Sequence, residues 1–136
     1  MIDASLPVQK AIRARLIADA AVNGLVAGRI YDGVPLNATK PYLSFGPFQV
    51  LPEDADCSDG VSIFVTLDGW TAGPDSVVTK RLGAAVAASL AWAEMTLDEG
   101  QRLVICSIEQ LNYLREPDGL TGHAVVTVRA QTEPIP

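Results

Sequence analysis

The chain has 136 residues, 49% of them hydrophobic and 19% charged, a globular composition long enough to bury a core within a single domain, 1–136. Its ten basic and sixteen acidic residues give a net charge of −6, and the basic ones are scattered, which argues against a groove that grips nucleic-acid phosphates. Two cysteines are too few for a disulfide framework, no apolar run reaches the ~20 residues of a membrane span, and the mixed charges of the N-terminal stretch do not read as a secretory signal, so synthesis in a reducing cytoplasm is expected.

Val8, Ile12, Leu16 and Ala20 recur every fourth residue, with Ile17 and Ala21 beside them. Lys10, Arg13 and Asp19 fall off that stripe. The spacing predicts one amphipathic helix from about Asp3 to Val22, with Pro7 tolerated in its first turn and Asn23-Gly24 as a left-handed stop. "RIYDGV" (29–34) reads as a short strand and "PLNATKP" as a loop with a proline at each end. "YLSFGPFQVL" (42–51) reads as a second strand, in which Gly46-Pro47 marks a bend or an edge.

"VSIFVTLDGW" (61–70) is the clearest strand. Val61, Ile63, Val65 and Leu67 alternate to one face, and Phe64 and Trp70 fall on the other among Ser62, Thr66 and Asp68. Gly73-Pro74-Asp75 opens a second helix, kept slim by alanines and Gly83, with Val78, Leu82, Ala85, Ser89 and Trp92 as its inner stripe and an end near Ala93. "RLVICSIEQLNYLRE" (102–116) reads as a long central strand and Pro117-Asp118-Gly119 as a turn. "TGHAVVTVRAQTE" (121–133) closes the chain as a strand with Ala124, Val126, Val128 and Ala130 on one face. The order is α-β-β-β-α-β-β, an α+β fold: a mainly antiparallel sheet of about four to five strands with two helices on one face. The opposite face, with Phe64, Trp70 and Val125, needs cover or a partner.

Few residues offer chemistry. "PEDADCSDG" (52–60) holds four carboxylates, but in a calcium loop starting at Asp54 the sixth place is Asp59 rather than glycine and the twelfth is Val65 inside a strand. The stretch reads instead as a metal-free inter-strand loop that is ordered against a partner subunit, with Asp54, Asp56 and Asp59 as candidate contacts. His123 reads as an exposed strand residue with no carboxylate in register, which leaves a Ser-His-Asp arrangement without its third member. Cys106 sits in an apolar run as a small hydrophobe, and the acidic neighbours of Cys57 disfavour its thiolate. No phosphate-cradling glycine loop occurs. Arg29, Asp32, Arg115 and Arg129 lie in or beside strands, where charges can bridge a subunit boundary. On these residues alone, a small ligand-binding or regulatory domain, dimeric through the Phe64–Trp70 face, stays open beside an assembly protein.

Several stretches carry a resemblance: "NGLVAGRIYDGVP", "KPYLSFG", "VTLDGWT", "VVTKRLGAAVAASL" and "REPDGLTGHAVVTVRAQTE". Together they span nearly the whole chain, and in combination they resemble the tail terminator family of long-tailed phages, also called tail completion or head–tail joining proteins, with relatives in gene transfer agents. That resemblance implies a structural protein without catalytic residues or a cofactor. It implies a ring, typically hexameric, that caps the finished tail tube, stops its polymerisation and docks on the head connector or stopper. The partners implied are other copies of the chain, the tube protein, the connector, and DNA sliding through the channel without specific binding. The implied location is the head–tail junction of a virion or phage-like particle.

Overall fold

The computed structural model describes residues 1–53 and 59–136. Helix α1 spans Ser5–Ala18 and buries Pro7, Val8, Ile12 and Leu16; the last three belong to the expected stripe, whereas Ala20 and Ala21, also expected on or beside it, are exposed. It does not run on to Val22. Asp19 turns extended and caps a second, short helix, α2 (Ala20–Val26), by accepting the N–H groups of Ala21 (2.9 Å) and Val22 (3.2 Å). Burial opposes the Asp19 charge, but those N–H groups and nearby Arg15 hold its carboxyl below the ordinary value of 3.8. The chain therefore has three helices among the described residues where two were expected, and the element order becomes α-α-β-β-β-α-β-β. Asn23 and Gly24 lie inside α2 and do not stop it. The stop is Ala27, left-handed at φ 49°, ahead of Gly28 at φ 77°, whose N–H is bound by the Asn23 side chain at 2.7 Å.

The strands are β1 (Ile30–Tyr31), β2 (Tyr42–Pro52), β3 (Val61–Ala72), β4 (Gln101–Arg115) and β5 (Thr121–Pro134). They form one sheet in the order β1-β2-β3-β5-β4. All neighbours are antiparallel except β1 and β2, which the 32–41 loop brings side by side in parallel. The β4 segment, expected to be central because its start is apolar on both faces, is an edge strand. Strand β5 returns by hairpin between β3 and β4 and takes the inner place beside β3. Gly46-Pro47 falls at a bulge between Phe45 and Phe48, where proline's missing donor disrupts no ladder bond.

One face of the sheet is covered. Val61, Ile63, Val65 and Leu67 on β3, and Val126, Val128 and Ala130 on β5, are at most 1% exposed and cluster with Val8, Ile12 and Leu16 of α1 and with buried side chains of α3 (Val77–Leu90). Each Val, Leu or Ile among them contributes about 1.5–3 kcal/mol on burial. Gly69 lets α3 approach closely, since a Cβ there would lie 2.9 Å from Leu82 Cδ2. Gly83 does the same for Tyr113 of β4.

The inner stripe of α3 is displaced from the expected one: it comprises Thr79, Leu82, Gly83, Val86, Ser89 and Leu90. Thr79 turns inward because its hydroxyl finds that of Thr71 at 2.6 Å, so a polar residue takes a core position and Val77 and Val78 face out. The helix ends at Leu90, Ala91 is extended, and the phase is lost before Trp92, which is 70% exposed rather than inner.

Candidate interaction faces

The open face of the sheet carries an aromatic row that crosses its strands. Tyr31 on β1 lies 5.8 Å from Tyr42 on β2, Tyr42 lies 6.5 Å from Trp70 on β3, and Trp70 stacks on His123 of β5 at 3.9 Å between centroids and 13° between planes. The ladder registers Tyr42, Trp70, His123 and Leu114 as successive opposite residues, which is why they line up. The Trp70 indole N–H donates to Ser44 Oγ at 3.1 Å, so the ring is fixed at both its flat face and its polar edge.

His123 is not the exposed, unpartnered residue expected. Its side chain is 14% exposed, with Nε2 at 2.7 Å from Asp68 Oδ1 and Nδ1 at 3.2 Å from Glu116 Oε1. Asp68 is the diagonal neighbour of His123, two residues before Trp70 on the same face, and Glu116 comes from the start of the β4–β5 turn. Beyond it, Asp118 accepts the N–H of Leu120 (2.8 Å), the hydroxyl of Thr121 (2.7 Å) and the N–H of Thr121 (2.9 Å), which together with Lys40 hold its carboxyl below the ordinary value. The turn is thus tied to its own strand by Asp118 and to the sheet face by Glu116.

At the other end of the face, Arg129 donates to Ser62 Oγ at 3.1 Å and lies 3.5 Å from Glu53, and Ser62 also donates to Glu53. Arg129 therefore serves an intramolecular cluster at the foot of the acidic stretch. Asp59 is exposed and 3.1 Å from the Met1 amino group, and Gly60 accepts from the Glu53 N–H at 3.0 Å to close the base of that loop. Asp54 and Asp56, and with them Cys57, lie outside the described residues.

Arg29 is half-buried, with Nε donating to the Pro41 carbonyl at 3.0 Å, whereas Asp32 and Arg115 are exposed at opposite ends of the strand order. Phe64 and Trp70 share the open face as expected, both partly covered. Cys106 is 1% exposed, and burial pushes its thiol up to about 11 despite nearby Arg15, as suits a small core hydrophobe. Among the described residues no group of three His, Cys, Asp or Glu side chains is arranged to hold a metal ion, and no helix is long and apolar enough to cross a membrane.

Residues 10–133 match the family model described as "Tail completion protein gp17". The chain belongs to the tail completion protein gp17 family. Its fold also matches a chain in the virion of a native gene transfer agent particle, with a TM-score of 0.88 and 25% identity over 98% of this chain and 99% of that one. A comparison with curated proteins found no match.

Seen as a tail completion protein, the chain concentrates its quoted resemblances in space. "KPYLSFG" supplies Tyr42 and Ser44, "VTLDGWT" supplies Asp68 and Trp70, and "EPDGLTGH" supplies Glu116, Asp118 and His123. All three meet at one end of the open face, where Lys40 also reaches Thr121 Oγ1 at 3.3 Å. The His123 cluster is what sequence reasoning missed. The available signal was the i, i+2 pair Asp68 and Trp70 on the polar side of a strand, but only the β3–β5 register shows that His123 falls opposite them.

Proposed function

We propose that this tail completion protein closes into a ring, of six copies, on the finished tail tube, ends tube polymerisation and presents its far side to the head connector. The single observation that carries the reading is the likeness over almost the full length of both chains to a subunit of a gene transfer agent virion, alongside the family match. A subunit that acts by fitting other subunits needs a stiff core and unfilled faces. The helix-covered side of the sheet provides the first, and the aromatic row with its partly covered Tyr42, Trp70 and His123 is available for the second. Tube protein and connector are the partners of the two ring faces, and DNA passes through the lumen. A net charge of −6 suits a passage that must not hold phosphates.

Imaging particles from cells lacking this gene tests the role. Full heads without tails, or headless tails of uncontrolled length, are expected. Normal, infectious or transfer-competent particles would remove the chain from the assembly path.

A further inference from the structure

The two edges of the sheet differ in shape and charge, and that difference bears on how one copy meets the next. Strand β4 ends the sheet with fifteen residues whose outer side has no neighbouring strand. It carries bulges at Val104 and Glu109, and segment 92–95 covers only part of it, through the Trp92 N–H donating to the Cys106 carbonyl at 2.8 Å. Between that segment and the strand lies a groove of about 410 Å³ lined by Trp92, Met95, Leu103 and Val104 among others. Trp92 is held left-handed at φ 57°, an uncommon conformation for a bulky residue, and its side chain stays 70% exposed beside Val104 at 49%.

The opposite edge carries an exposed apolar loop. Strand β1 has two residues and runs into the 32–41 loop, where Leu36 is 93% exposed and Val34 44%. The charges also oppose. Arg13 and Arg29 donate to the backbone carbonyls of Ile30 (3.3 Å) and Pro41 (3.0 Å) and outnumber the one carboxylate of the 32–41 loop, Asp32, while Lys40 is balanced by Asp118. Glu94 lines the groove and Glu109 follows three residues beyond its Cys106 wall on the same strand; neither has an ion pair among the described residues, whereas Arg102 is taken by Glu133. Arg15, near Cys106, is balanced by the neighbouring Asp19 carboxylate. Lys80 and Arg115 belong to a separate groove at the far end of β4.

From this complementarity we infer that the occupant of the β4 groove is a second copy of the chain: its 32–41 loop seats Leu36 against Trp92 and Val104, with Arg13 and Arg29 facing Glu94 and Glu109. The inference rests on the ring reading above and names its subunit contact. A knob on one edge and a groove on the other cannot satisfy each other in a two-fold dimer through one patch. They pair head to tail, and such contacts close by rotation into a ring. The groove edge also gains cover for an otherwise open strand.

Cysteines at positions 36 and 104 test this in purified particles. In a Cys57→Ser background, the Leu36→Cys, Val104→Cys double variant is expected to give a ladder of covalent species up to the full ring under oxidation, while either single variant gives at most dimers. Complete particles carrying the double variant without species beyond dimer overturn the contact and leave the ring reading standing. Absence of the unsubstituted chain from tail ends overturns both. As a second variant, Leu36→Asp is expected to lower incorporation more than ~tenfold, whereas Leu6→Asp, an equally apolar-to-acidic change at an exposed position in the first turn of α1, is expected to leave it unchanged. Normal incorporation of Leu36→Asp would overturn the inference.

Discussion

On the helix-covered face of the sheet, Ile63, Val65, Leu67 and Val128 are at most 1% exposed, while one residue along the same strands Phe64, Trp70, His123 and Arg129 stay partly accessible on the open face. The covered face is held by volume: aliphatic side chains touch aliphatic side chains, and the loss of any one leaves a cavity. The open face is held by register: rings and charges are useful only where the ladder sets them opposite their partners. The first design gives a stiff core, and the second leaves surface that another subunit can use. On the ring reading proposed above, the covered face supplies stability, and the open face and sheet edges supply the contact surface.

Substitutions on the two faces can break or sharpen that contrast. Leu67→Ala, on the covered face, is expected to cost about 3 kcal/mol in denaturant unfolding, because the fully enclosed site can relax only partly. A loss under about 1 kcal/mol would mean that the core is not what stiffens the subunit. Gly122→Ala is expected to cost about 2 kcal/mol, since its Cβ would sit 2.1 Å from Thr79 Oγ1 and 2.4 Å from Thr71 Oγ1 and force apart the buried hydroxyl pair. Trp70→Ala, on the open face, is expected to cost only about 1.5 kcal/mol through lost stacking on His123 and the lost Ser44 bond, while reducing incorporation into particles much further. Equal damage to folding and assembly would erase the distinction between the faces.

Asp19→Ala removes the cap that starts α2 and is expected to cost about 1 kcal/mol at neutral pH. Because the folded carboxyl titrates below its ordinary value of 3.8, its stabilisation is complete above that value and is lost as pH falls through the lower, folded one. The gap between wild type and Asp19→Ala should therefore narrow below about pH 4 in pH-resolved unfolding curves. The smallest effect expected is a gain: Trp92→Gly relaxes the left-handed backbone and raises stability by up to about 1 kcal/mol, yet weakens assembly if the groove is a subunit contact. A variant that gained on both measures would show the indole to be idle.

How far the sequence foretold this structure follows the same division. Alternation in "VSIFVTLDGW" and the i+4 stripe of Val8, Ile12 and Leu16 report burial, and burial is what the covered face is made of. Local capping was less legible, because Asp19 fits equally well on the polar side of a continuing helix and at the start of a new one. Thr79 took the core place expected for Val78, and Trp92 left the expected stripe, each for a tertiary reason: the partner hydroxyl on Thr71 and the early end of α3. The edge position of β4 depends on where β5 returns, which no local pattern in "RLVICSIEQLNYLRE" encodes. The His123 cluster was hidden for a related reason: Asp68 and Glu116 are 55 and 7 positions away, and only pairing brings them to one ring.

A reconstruction of the intact particle at the head-proximal end of its tail tests the central claim most directly. The account predicts a closed ring of this fold at the last layer of the tube, covered cores intact and open faces or sheet edges engaged by neighbours. A junction built without this chain, or the chain found elsewhere as isolated dimers, would contradict it.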